Sequence, residues 1–377
     1  MNGCLSVRHM AGMVGDCPQS AILKGKGMGK LNWVVLAIIV SGLCFTASYF
    51  YIAPHETEQK PEIVIKATPT AGIVTWYTSV PQIHAERLAN AFRTETGIDL
   101  EIIRDSTFIV RDKLMSEIEN GTTAADIITI ADIGTFIELK NQGHLMKYDS
   151  THSLYYDNEY KDPDYWAVFA GFGICMAYDE SQIDTPPQHW IDLLDDRWKG
   201  RIGLEDINTA GSQYGQYYML REKLGVEFWE ELLSVQKPKI YYRTEELANA
   251  LLEGEIDVAG EFSIHTVYSY RGKKGVSIQG IYPEEGIPLV VNPVAIMNRT
   301  DHPEAAKTFL DFLLSHRGQA LMQRLNYKYS IRGDVTPLQG IPSLEELNIL
   351  RPENAAEYAK KRSEYIREFN SFLGSNE

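Results

Sequence analysis

From residue 72 onward, hydrophobic positions follow two alternating patterns, one typical of buried strands and the other of amphipathic helices. Residues 72–77 are mostly β-branched and aromatic, which favours a buried strand. Ala85, Leu88, Ala89 and Phe92 then recur at the spacing of one helix face. The alternation continues through a predicted strand at 98–103, a helix at 110–119, a strand at 126–130 and a helix at 133–140. Strands that alternate with helices of this length predict an open, largely parallel sheet.

A second set of alternating elements begins near residue 200. It comprises predicted strands at 202–204, 239–242 and 257–259 and predicted helices at 211–224 and 244–252. Two long apolar segments, 166–178 and 287–297, suit strands that cross between two lobes. Asp301 and Glu304 have the spacing of a capping box and predict the start of a helix that runs to residue 314.

The pattern therefore predicts an α/β fold of two lobes, each a mostly parallel sheet flanked by helices, joined by two crossing strands. Lobe one is predicted to contain residues 71–170 and 288–377, and lobe two residues 171–287. In open sheets of this kind, ligands bind beyond the carboxyl ends of the strands. We therefore expect a ligand between the lobes.

The first 53 residues have a different composition. Leu31–Ala53 contains 23 residues without a charged side chain and follows Lys24, Lys26 and Lys30. A basic flank before an apolar run is typical of an export signal, and 23 residues are also enough for a membrane anchor. Both interpretations stay open. We expect residues 1–30 to be a leader, with 1–27 either a start codon assigned too early or a tail. The polar, proline-bearing segment 54–70 is expected to be a linker.

Composition and charge narrow the classes of function. The chain is 44% hydrophobic and 23% charged, as is ordinary for a globular protein. Its net charge is −15, and the part after the basic leader is more acidic still, so it repels nucleic-acid phosphates. After residue 53 the only cysteine is Cys175, whose apolar surroundings predict a buried, inert thiol.

Enzyme motifs are lacking in the sequence. It contains no Gly-x-Ser-x-Gly, no His-Glu-x-x-His and no glycine-rich phosphate or dinucleotide loop after a predicted strand. We therefore expect a binding protein, not an enzyme, and no cofactor.

Several short segments keep a fixed order along the chain. They are 76–79 (Trp-Tyr-Thr-Ser), 92–98 (Phe-x-x-Glu-Thr-Gly-Ile), 125–127 (Ala-Asp-Ile), 190–203 (Trp-x-Asp-Leu-Leu-Asp-Asp-x-Trp-Lys-Gly-Arg-Ile-Gly), 282–286 (Tyr-Pro-Glu-Glu-Gly) and 303–306 (Pro-Glu-Ala-Ala). In this order they resemble the periplasmic binding proteins of ABC importers, in the branch whose ligands include ferric iron, phosphorylated sugars and phosphonates. The resemblance implies a type II periplasmic-binding-protein fold, a hinge motion and an ABC-transporter permease as partner. It also implies that the protein acts in the periplasm or on the outer face of the inner membrane. Only its N-terminal segment is then expected to contact the membrane.

The ferric-binding members of this branch use a histidine after the first strand, a glutamate after the third strand and a tyrosine pair in the second lobe. Here the histidine position falls near Pro81, and the tyrosine pair falls on Ser263 and Ile264. Fe³⁺ requires hard anionic oxygen ligands. An iron site in this chain would depend on Asp132, Tyr241 and Tyr242.

Hydroxyl groups at predicted helix N-termini favour a small anion as the ligand. Unpaired backbone N–H groups and the helix dipole bind phosphate or carboxylate there, although Ser and Thr are also ordinary helix caps. The expected anion-binding residues are Ser79, Ser106, Thr107, Thr209, Gly211 and Ser212.

Three further residues, Asp132, Glu261 and His265, follow predicted strands and suit ligand hydroxyls or an amine, or solvated loops. Trp166 suits either the floor of a cleft or the core. The sequence thus predicts a receptor that closes around a small anionic ligand: a phosphorylated compound, a phosphonate or a carboxylate. Two alternatives stay open, a ferric-iron receptor and a membrane-tethered sensor or adaptor.

Overall fold

The computed structural model describes residues 73–273 and 275–374, which belong to one compact unit. The predicted leader, the apolar run Leu31–Ala53 and the linker at 54–70 lie outside the described residues. Within the described ranges, no helix is both long and apolar enough to cross a membrane. Four short 3-10 turns lie at Thr151–Tyr155, Asn158–Tyr160, Trp190–Leu194 and Asp196–Trp198.

The strands and helices of the described chain follow one another in the order β1 (Ile73–Thr78), α1 (Gln82–Thr96), β2 (Asp99–Arg104), α2 (Thr107–Asn120), β3 (Ile127–Thr129), α3 (Ile133–Asn141), β4 (Lys161–Asp162), β5 (Trp166–Asp179), β6 (Ile202–Glu205), α4 (Gly211–Leu224), α5 (Val226–Ser234), β7 (Lys239–Tyr241), α6 (Thr244–Leu252), β8 (Val258–Ser263), α7 (Ile264–Arg271), β9 (Ile278–Ile281), β10 (Ile287–Ile296), α8 (Pro303–Leu314), α9 (His316–Asn326), β11 (Ile349–Leu350) and α10 (Ala355–Gly374).

A mixed sheet in the order β2-β1-β3-β10-β5-β8-β6-β7 organises these elements. β1 is parallel to β2 and β3, and β6 is parallel to β7 and β8. The long strands β5 and β10 are antiparallel to each other and lie at the centre. The predicted α/β fold with two long crossing strands is confirmed, whereas the lobe boundaries stay a prediction. We call β1–β3 the first end of the sheet and β6–β8 its second end.

The register of the sheet directs the carboxyl ends of both sets of strands towards the middle of the crossing strands. Thr129, the last residue of β3, pairs with Val294 of β10. Ser263, the last residue of β8, pairs with Ile174 near the middle of β5. Because parallel strands share their direction, the loops after β1, β2 and β3 face the loops after β6, β7 and β8.

Local sequence signals explain the first helix well and the eighth less well. α1 buries Ala85, Leu88 and Phe92, and it ends at Gly97, whose φ of 77° is left-handed and so favours glycine. The predicted capping box at the start of α8 is wrong. His302 is the N-cap residue there, without a side-chain capping bond, because proline occupies the first helical position.

The last helix, α10, packs against both ends of the sheet. It lies on α3, from the first end, and on α4 and α5, from the second. Tyr358 approaches Tyr214 of α4 with ring centroids 4.7 Å apart, and Phe369 lies 5.4 Å from Tyr217. Burial of several aromatic rings along one helix is a large apolar contribution to stability. α10 therefore links the two ends through its own packing.

Candidate functional site

The loops of the first end supply one wall of the site. The hydroxyl of Ser79 accepts a hydrogen bond from the N–H of Ala131 at 3.1 Å, which ties the end of β1 to the loop after β3. Ser79 does not cap α1, because the N-cap residue of that helix is Pro81. Ser106 is the N-cap residue of α2, and its side chain makes no capping hydrogen bond.

The start of α4 supplies the opposite wall. Gly211 is the first residue of this helix, as predicted, and no side chain caps it. The Thr209 hydroxyl donates to the carbonyl of Asp206 at 3.2 Å, within its own turn. The Ser212 hydroxyl donates to a carboxylate oxygen of Glu205 at 3.1 Å, so the start of α4 is joined to the end of β6.

The two walls touch each other. The N–H of Phe108 in α2 donates to the carbonyl of Thr209 at 3.0 Å. A Cβ atom at Gly211 would lie 2.3 Å from the carbonyl oxygen of Ala131 and 2.8 Å from the side chain of Thr107. Only glycine permits this approach, so the structure holds the two ends in a closed arrangement.

Glu205 and Glu261 form a carboxylate pair at the second end. They are 4% and 1% exposed, and both interact with the hydroxyl of Ser212. Burial raises the pKa of Glu205 to about 7, against the hydrogen bonds from Thr244 and Ser212. Burial, and then the charge of Glu205, raise the pKa of Glu261. Glu261 lies inside β8, so its expected place after the strand is wrong: β8 continues to Ser263.

Lys328 brings a buried cation to the same region from the segment after α9. It is 4% exposed, and its ammonium group donates to Oδ1 of Asn292 at 3.0 Å. The ammonium also lies 4.4 Å from the ring centroid of Phe172, at the middle of β5. Burial, and then the nearby charge of Arg104, lower the pKa of Lys328 to about 7.

Two histidines lie near Lys328. The ring of His265, the second residue of α7, packs edge-on against Phe172 at 4.9 Å. Burial lowers its pKa, with smaller contributions from Lys328 and His84. Burial also lowers the pKa of His84 to about 4. Both imidazoles are therefore neutral at pH 7, and the Nδ1 atom of each is buried without a hydrogen-bond partner.

Charges of both signs at this site lack ion-pair partners. Arg104, at the carboxyl end of β2, donates to the backbone carbonyl of Val80 at 3.3 Å. Its charge acts on both Lys328 and Glu205. Across the described ranges of the chain, none of the ion pairs involves Arg104, Lys328, Glu205 or Glu261.

Asp132 lies at the first end but is engaged within the fold. It is the N-cap residue of α3 and accepts a hydrogen bond from the N–H of Thr135 at 3.0 Å. The same carboxylate oxygen binds Arg362 of α10 at 2.7 Å. Its charge is therefore balanced by the fold itself.

The structure does not bring the other expected residues into this site. Trp166 starts β5 and lines a small cavity with Tyr148 and Leu310, away from the strand ends. The hydroxyl of Tyr241 donates to Glu255 at 3.1 Å, and Tyr242 is 40% exposed. The three residues on which an iron site would depend therefore have separate neighbours.

A mainly apolar cavity with an empty volume of about 670 Å³, including its mouth, lies beside the site. Its lining includes Asp132, Met219, Val290 and Tyr358, but not Lys328 or either member of the carboxylate pair. Arg351 pairs with Glu159 at 3.5 Å in this lining. We therefore place the candidate site at the strand ends and not in this cavity.

Four residues of the site were not among those expected from the sequence: Arg104, Glu205, Asn292 and Lys328. Arg104 and Glu205 carried a usable signal, because each ends a strand and so stands at the carboxyl edge where ligands bind. Lys328 and Asn292 carried none, since a lone lysine after a helix and an amide inside an apolar strand resemble ordinary surface and core positions.

Comparisons with known proteins identify the family and the fold of the chain. Residues 122–350 match the family described as bacterial extracellular solute-binding protein. Iron uptake protein A1 of Synechocystis sp. is 22% identical over 308 residues, which are 76% of this chain and 84% of that protein. The thiamine-binding periplasmic protein of Salmonella typhimurium is 24% identical over 197 residues, which are 52% of this chain and 60% of that protein.

Among solved structures, the periplasmic binding protein AfuA from Actinobacillus pleuropneumoniae, with fructose-6-phosphate bound, is similar with a TM-score of 0.72. Its sequence identity is 19%, and the match covers 80% of this chain and 98% of that one. The fold is thus that of the type II periplasmic binding proteins. The chain belongs to the bacterial extracellular solute-binding proteins, the family of receptors that serve ABC transporters and bind their ligands without transforming them. The resemblance found in the sequence is confirmed.

Proposed function

We propose that this protein is the receptor of an ABC importer and that it closes around a small solute carrying an anionic group. Lys328, with Arg104 beside it, carries the proposal. Lys328 is buried, and none of the ion pairs in the described chain includes it. An unpaired buried cation is costly, and a ligand phosphate, phosphonate or carboxylate would balance it.

The side chain of Asn292 supports the same ligand. A lysine ammonium can only donate hydrogen bonds, so the atom that it contacts must be the amide oxygen. This leaves the Asn292 Nδ2 group as a fully buried donor without a partner. An orphaned buried donor beside a buried cation suits an anionic acceptor.

Ser79, Ser106, Thr107, Thr209, Gly211 and Ser212 fit this proposal as the walls of the site rather than as a set of free anion donors. Gly211 and Thr107 define how closely the two walls approach, and Ser212 belongs to the acidic side. His265 and Lys328 both contact the ring of Phe172, and His265 suits a ligand contact. Asp132 and Trp166 fit better as structural residues, for the contacts described above.

Ferric iron is the second candidate. The names of relatives support iron uptake as much as the transport of thiamine or of a sugar phosphate. Asp132 binds Arg362, whereas Tyr241 binds Glu255, so the two side chains do not form one set of carboxylate and phenolate ligands. This favours an anionic solute over ferric iron.

We further propose that a permease reads the closed form of the receptor. The crossing strands would act as a hinge, so that closure depends on the ligand's differential affinity for the closed form. The protein would act in the periplasm or on the outer face of the inner membrane, with Leu31–Ala53 as its export signal or anchor. A sensor or adaptor using the same site would differ in its partner and not in its ligand.

The proposal is tested on purified protein with a panel of small phosphates, phosphonates and carboxylates, using titration calorimetry. We expect at least one member to bind and Lys328→Met to weaken it about ten- to a hundred-fold, the value of a charge-assisted hydrogen bond. Lys239→Met is the matched control, because that lysine pairs with Glu255 outside the site. Unchanged affinity in Lys328→Met, or binding of ferric iron alone, would refute the proposal.

A further inference from the structure

The acidic side of the site is also incomplete within the described chain. Glu205 and Glu261 are both buried, share the hydroxyl of Ser212, and have no cation bound to them in any of the ion pairs that the described residues form. Two carboxylates this close repel each other, so that a proton or a cation between them would stabilise the pair. The Ser212 hydroxyl has one hydrogen to donate and cannot satisfy both.

Gln213 supplies an independent observation. Gln216 donates from its amide nitrogen to the carbonyl of Gly260 at 2.7 Å, so its amide oxygen is the atom that accepts from Gln213, at 3.0 Å. The amide oxygen of Gln213 is therefore the free atom, and it is an acceptor in a fully buried side chain without a partner. The chain of amides ends on Gly260, the residue before Glu261, and Gln213 follows Ser212, whose hydroxyl donates to Glu205.

The orphaned polar atoms differ between the two sides of the site. Near Lys328 they are Nδ2 of Asn292, which is a donor, and Nδ1 of His84 and of His265, which donate or accept according to the tautomer. On the acidic side the orphaned atom is an acceptor, Oε1 of Gln213. A purely anionic ligand would satisfy the first group and leave the second without donors. A ligand with an anionic group and an ammonium group would satisfy both.

Resting on the proposed function, we propose that Glu205, Glu261 and Gln213 form an ammonium subsite and that the solute is a zwitterion, a small anion bearing a protonated amine. A primary ammonium has three donors, which matches two carboxylates and one amide oxygen. Arg104, whose charge acts on both Lys328 and Glu205, attracts the anionic group of the ligand and repels its ammonium.

Matched pairs of ligands that differ only in the amine test the subsite. Phosphoethanolamine is compared with ethyl phosphate, and γ-aminobutyrate with butyrate, by calorimetry on the purified protein. We expect an amine-bearing member to bind about ten- to a hundred-fold more tightly than its partner. Glu261→Gln and Glu205→Gln should remove that preference. Glu255→Gln, which changes an exposed carboxylate at the same end of the sheet, should keep it.

The possible failures are distinguishable. Equal binding of both members of each pair would overturn the ammonium subsite and leave the proposed anion receptor standing. An amine preference that persists in both glutamine variants would overturn the assignment to Glu205 and Glu261. Absence of binding by every anion in the panel would overturn the proposed function itself, and the subsite with it. Circular dichroism of each variant confirms that lost binding does not reflect lost folding.

Discussion

Replacing Glu205 by glutamine is expected to stabilise the ligand-free protein while it weakens ligand binding. The glutamine amide has the shape of the carboxylate. Its oxygen can accept from one of the hydroxyls of Ser212 and Thr244, and its nitrogen can donate to the other. The substitution therefore keeps the packing and removes a buried charge, together with its repulsion of Glu261.

The pKa of Glu205 determines the magnitude and the sign of the effect. Its pKa rises from an ordinary 4.5 to about 7 on folding, so the folded protein holds the proton more tightly than the unfolded chain. Burial of the ionised carboxylate lowers the free energy of unfolding. This loss is small below pH 4.5, grows as the pH rises and reaches its full size above about pH 7. At about 1.4 kcal/mol for each pKa unit, the full cost is about 3 kcal/mol. At pH 5 the same relation gives a destabilisation by Glu205 of less than about 1 kcal/mol.

Urea denaturation of wild type and Glu205→Gln at pH 5 and pH 8, after removal of bound ligand, measures this difference. We expect the variant to be more stable by about 3 kcal/mol at pH 8 and by less than about 1 kcal/mol at pH 5. Glu255→Gln should show no gain at pH 8, because hydrogen bonds from Lys239 and Tyr241 lower the pKa of that exposed carboxyl. A gain of equal size at both pH values, or a loss at pH 8, would refute the reasoning.

Three further predictions concern the frame of the site. Arg362→Met should lower the free energy of unfolding, measured by urea denaturation, by about 3–5 kcal/mol, because it leaves the buried Asp132 unpaired. Glu364→Gln, at an exposed position of the same helix, is the control. Equal stabilities of Arg362→Met and the wild type would contradict the role of the ion pair. Gly211→Ala should raise the radius of gyration of the ligand-bound protein in small-angle scattering, because its Cβ atom clashes with Ala131. Gly333→Ala, where a Cβ atom has room, should not raise it. Identical scattering of Gly211→Ala and the wild type would contradict the closed arrangement. Purified protein should be colourless with ferric iron added, because a phenolate–iron site would absorb visible light, and colour that a chelator bleaches would restore the iron alternative.

The fold was predictable from the sequence where the hydrophobic residues followed either the helix spacing or the strand spacing alone. The helices at Gly211–Leu224 and Thr244–Leu252 were predicted with the bounds that the structure gives, and the crossing strand predicted at 166–178 ends one residue later, at Asp179. Each combines an apolar pattern with a glycine, proline or polar boundary. The helix Thr107–Asn120 began three residues earlier than predicted, since its first turn is buried by contact with the opposite wall, a tertiary effect. Cys175 is fully buried, and burial raises the pKa of its thiol, as its apolar context predicted.

The candidate site was predictable only in part. The sequence pointed to the same edge of the sheet and to several of the wall residues, because helix N-termini after strands follow a local pattern. It could not weigh Asp132 against Glu205, since both are acids beside strand ends. The difference lies in Arg362, which is 230 residues from Asp132 in the chain and neutralises it. Glu205 has no such ion-pair partner among the described residues. Whether a distant residue pairs with an acid cannot be read from the sequence alone.

The unbalanced charges also bear on how such a receptor would sense its ligand. The closed arrangement rests on few direct polar contacts between the two walls, among them the bond from Phe108 to Thr209 and the 3.5 Å ion pair of Arg243 with Asp105. In the closed arrangement Glu205, Glu261 and Lys328 are buried, and none of them takes part in an ion pair of the described residues. Burial of unpaired charge opposes closure in the absence of a ligand. A ligand that supplies the missing charges removes this opposition only when both walls reach it. Its affinity for the closed form then exceeds its affinity for the open form by the energy of those contacts, and this difference alone sets how far the population shifts. The charges that lower the stability of the empty site would thus make closure depend on the ligand.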